Sequence, residues 1–312
     1  MHYDVIICGA GAAGLSAAIY CGRYGLRTLL LEKLFAGGQA AITPHIENYP
    51  GAPDISGFEL AQRMEGQAKR FGAELRTQGV TGYDFTGERK RVFCGETSCE
   101  AEAVILAVGA HPRELGLPNE SALVGKGVSY CAECDGFFYK GKTVCVVGGG
   151  DTAVQDALYL SDLCKKVYLI HRRTGFRAQE VGLKRLSERD NVERVLDSRV
   201  AEIAADGAVT GVRVVSSPPG GEQTARLLDV SGVFVAVGTV PNTADLAGHV
   251  ALSPSGHILA DAAMRTDVPG VFAAGDAVEK ELRQLVTAAA DGAVAAFSAH
   301  RYLIEAIDRK SR

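Results

Sequence analysis

The fold is decided by Tyr3-Asp4-Val5-Ile6-Ile7-Cys8-Gly9-Ala10-Gly11-Ala12-Ala13-Gly14. The apolar run from Tyr3 to Cys8 reads as a buried strand, and the glycines after it read as a tight turn. Leu15 to Tyr24 has a helical pattern that Gly25 ends. Thr28 to Leu31 is then a second strand, closed by Glu32. Glycines in such a turn let backbone N–H groups approach a pyrophosphate at the helix N-terminus. Glu32 stands where a carboxylate accepts hydrogen bonds from an adenosine ribose; the plainer alternative is a solvated strand end. A glycine fingerprint alone is weak evidence, but strand, turn, helix and acid in this order predict a dinucleotide site.

The same pattern recurs further along the chain. Thr143 to Val147 is a strand, Gly148-Gly149-Gly150-Asp151-Thr152-Ala153 a turn, Val154 to Leu163 a helix and Val167 to Ile170 the next strand. This copy ends in His171-Arg172-Arg173, with Arg177 beyond, where the first ends in an acid. A basic cluster suits a 2′-phosphate, hence NADP over NAD. The competing reading is a basic surface patch running on into Lys184, Arg185 and Arg189.

Between the two copies lies Ser129-Tyr130-Cys131-Ala132-Glu133-Cys134-Asp135-Gly136-Phe137-Phe138. A thiolate beside a second thiol can attack a disulfide and be released by its neighbour, and this spacing lowers the attacking thiol's pKa. Half of a zinc site and a pair of inert buried cysteines are the alternatives. Cys94 and Cys99 are the candidate second pair for a metal, but four residues separate them in a stretch that reads as sheet.

A chain of 312 residues suits two domains. Its net charge of −4 argues against nucleic acid as a partner. Eight cysteines are too few for a disulfide scaffold, and several fall in strand-like runs, so a reduced, cytoplasmic protein is expected. No basic segment precedes the first strand and no stretch reaches eighteen uninterrupted apolar residues. Neither a secretory leader nor a membrane span is expected.

Elsewhere, Gly37-Gly38-Gln39 and Ile46-Glu47-Asn48-Tyr49-Pro50-Gly51 are loop signals, in which Gln39 and Asn48 could face a cofactor or merely satisfy backbone. Gly57 to Phe71 reads as an amphipathic helix, and Val80 to Ala107 as a small antiparallel sheet ending at Gly109. Ser216 to Gly221 marks a hairpin. Gly275-Asp276 follows the strand Val271 to Ala274, and a helix runs from about Gln284 to Ala306. An α/β fold results, with two Rossmann-like nucleotide-binding domains, the second inserted into the first. The joints fall near residues 113 and 244. The first domain is then 1–113 with 244–312 and the second 114–243, with hinges at Pro112 to Pro118 and Thr239 to Thr243.

Taken together, the chain resembles the low-molecular-weight, bacterial-type thioredoxin reductases, a class of pyridine nucleotide-disulfide oxidoreductases, from Tyr3 to about Tyr302. The likeness rests on Gly9–Gly14 with Glu32, Gly37-Gly38-Gln39, Glu47-Asn48-Tyr49-Pro50-Gly51, Cys131–Phe138, Gly148–Ala153, His171-Arg172-Arg173 with Arg177, Gly275-Asp276 and Arg283-Gln284. The resemblance implies three-layer ββα domains, FAD in the first and NADPH in the second, in a homodimer that reduces thioredoxin. FAD would be held by Gly9, Gly11, Ala12, Ala13, Gly14, Glu32, Gly37, Gly38, Gln39, Asn48, Val80, Gly109, Gly275, Asp276, Arg283 and Gln284. NADPH would meet Gly148, Gly150, Asp151, Thr152 and Ala153, with His171, Arg172, Arg173 and Arg177 on its 2′-phosphate.

It further implies that Cys134 lies nearest the flavin, that Cys131 attacks thioredoxin's disulfide, and that Asp135 moves the protons. Phe137 and Phe138 would belong to the docking surface. The second domain would rotate between half-reactions. The sequence departs from the family at Ala12, often proline, at Ala290, often glycine, and at Glu133, which puts a negative charge between the cysteines. His2, His45, His111, His249, His257 and His300 read as ordinary. Rival readings are a ferredoxin-dependent relative, a peroxiredoxin reductase or dithiol oxidase on the same core, and a flavin module with a zinc-held cysteine pair.

Overall fold

Alternating strands and helices dominate the computed structural model, which describes residues 2–41, 43, 46, 48–52 and 54–310. Glu47 and His45, both named above, lie outside the described residues. The chain begins with β1 (His2–Cys8), α1 (Ala12–Arg23), β2 (Thr28–Glu32), α2 (Gly57–Arg70), β3 (Glu74–Thr77), β4 (Gly82–Asp84), β5 (Lys90–Cys94), β6 (Thr97–Leu106) and β7 (Ala110–Pro112). It continues through β8 (Val128–Ser129), α3 (Ala132–Asp135), β9 (Thr143–Gly148), α4 (Asp151–Leu163), β10 (Lys166–Ile170), α5 (Glu180–Ser187) and β11 (Val192–Val195). The last elements are β12 (Ser198–Asp206), β13 (Ala208–Ser216), β14 (Thr224–Asp229), β15 (Gly232–Ala236), β16 (Thr239–Pro241), β17 (Val271–Ala273) and α6 (Leu285–Lys310).

These elements form two compact units, residues 1–111 with 240–312 and residues 112–239. The chain therefore crosses between units a few residues earlier than its prolines and turns suggest, along β7 and β16, which pair as a two-stranded ribbon.

In the first unit a seven-stranded sheet runs β3-β2-β1-β6-β5-β4, with β17 also on β6. One face packs against α1, α2 and α6 through Val5, Ile7, Leu30 and Ile105; the other carries Ile6, Leu29, Val104 and Leu106. The stretch from Val80 to Ala107 does not make a separate sheet. β6 is long enough to pair antiparallel with β5 near its start, Lys90 opposite Ala101, and parallel with β1 near its end, Cys8 opposite Leu106. Its apolar C-terminal half is buried on both faces, as parallel strands require. Helices α1 and α6 approach closely because small residues face each other. A Cβ on Gly292 would stand 2.0 Å from the Ala13 carbonyl oxygen, and Ser16 Oγ donates to the Ala289 carbonyl at 2.6 Å. Ala290 is exposed, so a methyl group there displaces nothing.

In the second unit a five-stranded parallel sheet runs β11-β10-β9-β15-β8. Helices α3, α4 and α5 cover one face, and the antiparallel β12-β13-β14 sheet covers the other through Ile203, Val212 and Val214. This is the three-layer ββα arrangement, and the 216–221 stretch is the turn of the β13–β14 hairpin.

Candidate functional site

The first unit holds a cleft of about 580 Å³ at the C-terminal ends of its parallel strands. Its floor is the turn between β1 and α1. Gly9 has φ +103°, and a Cβ on Gly14 would lie 1.8 Å from the Gly9 carbonyl oxygen, so side chains would force the helix off the strand. Gly11, by contrast, faces open space. No side chain caps α1 and no acid sits in its first turn. Its leading N–H groups have no intrahelical acceptors and favour an anion.

Glu32 ends β2 at the cleft wall, and both its oxygens are fixed: Oε2 accepts from Ala10 N at 2.9 Å and Oε1 from Leu34 N at 3.2 Å. Each oxygen retains acceptor capacity. Asp276 also lines the cleft, and its Oδ1 is buried without a hydrogen-bond partner, with Lys280 Nζ 3.9 Å away. Burial holds its carboxyl above the usual carboxylate range, even with Lys280 and Arg283 nearby. An orphaned acceptor in a concave site is what a ligand hydroxyl would satisfy.

Gly37, Gly38, Gln39, Val80, Gly109, Gly275 and Gln284 also line the cleft. Asn48 and Arg283 do not, yet both brace it. Asn48 Nδ2 donates to Gln284 Oε1 at 3.2 Å, and Arg283 donates to the backbone carbonyls of Asp276 and Val278. Asn242 and Asp245 are further lining residues. The only sequence signal at Asn242 is its place in a Pro-Asn-Thr turn; its Nδ2 donates to the Val108 carbonyl at 2.9 Å and secures the strand end beneath the cleft.

In the second unit the turn between β9 and α4 repeats this construction. A Cβ on Gly148 would stand 2.3 Å from the Ala236 carbonyl oxygen, whereas Gly150 faces open space. Ala153 is buried under the turn, and Asp151 and Thr152 are exposed. The arm after β10 is tied back to the turn: Arg177 N donates to the Gly149 carbonyl at 2.7 Å and Gln179 N to Asp151 Oδ1 at 2.8 Å. Arg172, Arg173 and Arg177 are exposed on this arm.

His171 is only 6% exposed and lies against Gly149, where its ring occupies the space of a Cβ. It stacks on Phe176 and its Nε2–H donates to the Gly175 carbonyl at 3.2 Å. Burial pushes its pKa down, and the three neighbouring arginines add to this. The structure thus gives His171 a packing role and leaves the positive charge to the arginines.

Cys131 and Cys134 are joined in a disulfide with Cα atoms 5.3 Å apart. Cys131 N donates to Ser129 Oγ at 3.1 Å, and Cys131 Sγ accepts from Cys134 N at 3.2 Å at the start of α3. The pair is set against α4 by Gly136, where a Cβ would stand 2.8 Å from the Tyr159 ring. Burial raises the Asp135 carboxyl above the ordinary aspartate range, with a Ser129 hydrogen bond acting against it. Asp156, on the same side of α4, is pushed up to about 7 by burial and by the charge of Glu133. Phe137 and Phe138 are 56% and 46% exposed.

The other six cysteines are free and buried. Burial pushes the Cys164 thiol up to about 11 and Cys21 to about 12, which keeps them unreactive. Among the described residues no group of His, Cys, Asp and Glu could hold a metal, and no helix is long and apolar enough to cross a membrane.

Comparison with known proteins agrees with this geometry. The thioredoxin reductase of Listeria monocytogenes is 43% identical over 304 residues, spanning 97% of this chain and 94% of the relative. The thioredoxin reductase of Streptococcus pyogenes superposes with a TM-score of 0.90 at 39% identity, over 97% of this chain and 99% of that one. The thioredoxin reductase of Lactococcus lactis, in the FR conformation, gives a TM-score of 0.68 at 38% identity over the same shares. The family model for pyridine nucleotide-disulphide oxidoreductases matches residues 3–292, a span that contains both glycine turns and the Cys131–Cys134 disulfide, and the chain belongs to this family.

Proposed function

We propose that the chain is a thioredoxin reductase that uses NADPH and carries FAD. The observation that carries this reading is the Cys131–Cys134 disulfide on the unit whose glycine turn is flanked by exposed arginines. FAD, in the cleft of the first unit, supplies a two-electron relay between a nicotinamide and a disulfide. The N-terminus of α1, with Gly9 through Gly14, receives its pyrophosphate; Glu32 receives the adenosine ribose and Asp276 Oδ1 a hydroxyl. Gly37, Gly38, Gln39, Val80, Gly109, Gly275 and Gln284 shape the rest, braced by Asn48 and Arg283.

In the second unit Gly148, Gly150, Asp151, Thr152 and Ala153 form the NADPH turn, and Arg172, Arg173 and Arg177 take the 2′-phosphate. His171 supports them from beneath. With the cysteine pair reduced, the Cys131 thiolate attacks one sulfur of thioredoxin's disulfide, and the other sulfur leaves as a thiolate that takes up a proton. The Cys134 sulfur then attacks Cys131, releasing the second thioredoxin thiol and restoring the Cys131–Cys134 bond. One disulfide is reduced and one dithiol oxidised. Asp135, kept protonated to higher pH by burial, holds the proton these thiols exchange. Cys134 is the sulfur assigned to the flavin side, and Phe137 and Phe138 offer thioredoxin an apolar docking surface.

Because the nucleotide turn and the disulfide share one unit, that unit rotates about the β7 and β16 connections between half-reactions. An exposed stripe on α6 (Val294, Phe297 and Ile304) suits a homodimer interface, and six reduced buried cysteines suit a cytoplasmic setting. The reading is tested by steady-state turnover with NADPH, a bacterial thioredoxin and a coupled dithiol reporter. Thioredoxin-dependent NADPH consumption is expected. NADPH consumption that thioredoxin does not accelerate would contradict it.

A further inference from the structure

Asp151 opens α4 at the N-terminus where an NADPH pyrophosphate would arrive, and a carboxylate there repels that anion unless it has another task. Its Oδ1 accepts from Gln179 N at 2.8 Å, across the mouth of the arm that carries the arginines. The arm has other ties, among them backbone bonds that join His171 to Val195 and Ser198 and a bond from Asp197 N to the Arg173 carbonyl. His171 packs on Gly149, Arg177 N donates to the Gly149 carbonyl, and Thr174 Oγ1 donates to Asp197 Oδ1 at 2.9 Å. Beyond Arg177 the segment is held by the packing of Ala178 against the apolar cluster around Val154 and Leu186 and by the bond from Gln179.

We infer that Asp151 is a positioning residue for cofactor specificity: its carboxylate pins the 171–179 arm to the glycine turn and so aims Arg172, Arg173 and Arg177 at a 2′-phosphate. This rests on the NADPH reading above and adds to it the residue that sets the arginines' aim. A charge-assisted hydrogen bond from a backbone N–H is strong enough for that task. The bond can be removed from either end. Asp151→Ala removes the acceptor, and Asp151→Asn retains an Oδ1 in place. Gln179→Pro removes the donor, and Gln179 has φ −62°, within the range proline adopts.

The test is calorimetric binding of 2′,5′-ADP and of 5′-AMP to the full-length, flavin-loaded protein and these variants. The wild type prefers 2′,5′-ADP. Asp151→Ala and Gln179→Pro each lower that preference about tenfold, a change of about 1.4 kcal/mol; Gln179→Pro holds 5′-AMP as the wild type does, and Asp151→Ala, relieved of the carboxylate's repulsion, holds it no more weakly. Asp151→Asn stays within about threefold of wild type, since the acceptor survives. An unchanged preference in Asp151→Ala or in Gln179→Pro would overturn the inference, as would an Asp151→Asn that falls as far as alanine. A wild type with no preference for the 2′-phosphate would overturn the NADPH reading itself, and the inference with it.

Discussion

The two glycine turns share one backbone design and differ in the residues that close the next strand. In each, a middle glycine (Gly11 or Gly150) faces open space while a neighbouring glycine is pressed against backbone. After the first turn, β2 ends in Glu32, a carboxylate clamped by Ala10 N and Leu34 N. After the second, β10 is followed by a buried histidine, whose pKa burial pushes down, and an exposed arm of arginines. On the function proposed here, the turn takes a dinucleotide and the strand end selects which one. The first site is built from fixed, part-buried groups and the second from solvated charges, so salt should weaken NADPH binding far more than FAD retention.

The contrast breaks most severely at the sulfurs, which only the second unit carries. Cys131→Ser or Cys134→Ser is expected to cut thioredoxin reduction by about 10³-fold or more while NADPH still reduces ferricyanide, read in parallel assays. Removing the arginines together (Arg172→Ala, Arg173→Ala and Arg177→Ala) should lower the NADPH-to-NADH ratio of kcat/KM by about 10²–10³-fold, since three solvated hydrogen bonds at roughly 1–1.4 kcal/mol each sum to about 3–4 kcal/mol. Glu32→Ala should weaken FAD retention by about tenfold, read by flavin release on dilution, and leave the nicotinamide ratio unchanged.

The smallest effect concerns pH. The Asp156 carboxyl in the folded chain titrates at about 7, above its ordinary value, so the native state holds a proton that the unfolded chain has lost. Its contribution to stability is therefore full below the ordinary aspartate range and disappears as pH rises through about 7. Asp156→Asn should flatten that slope and raise stability at pH 8 by roughly 1–2 kcal/mol, measured by urea unfolding at pH 5 and pH 8.

Much of this is legible in the sequence because it is local. Strand, glycine turn, helix and strand end lie within a short span, and their chemistry depends on that span alone. The helices start earlier than their apolar pattern suggests: α1 begins at Ala12 and α4 at Asp151, because each grows directly from its turn without a polar cap. The features that escape a sequence reading depend on distant chain. β6 joins an antiparallel edge to the parallel sheet, which alternation cannot reveal. Asn242 and Asp245 reach the cleft from across the inserted unit. His171 reads as a phosphate ligand from its place beside two arginines, but its position at the strand end turns it inward over Gly149.

The most direct test of two turns reading different nucleotides and feeding one sulfur pair is an anaerobic titration of the flavin-loaded protein. NADPH should bleach the visible flavin absorbance, NADH at equal concentration should act far more slowly, and oxidised thioredoxin should restore the colour. A flavin that NADPH cannot bleach, or whose colour thioredoxin fails to restore, would contradict the account.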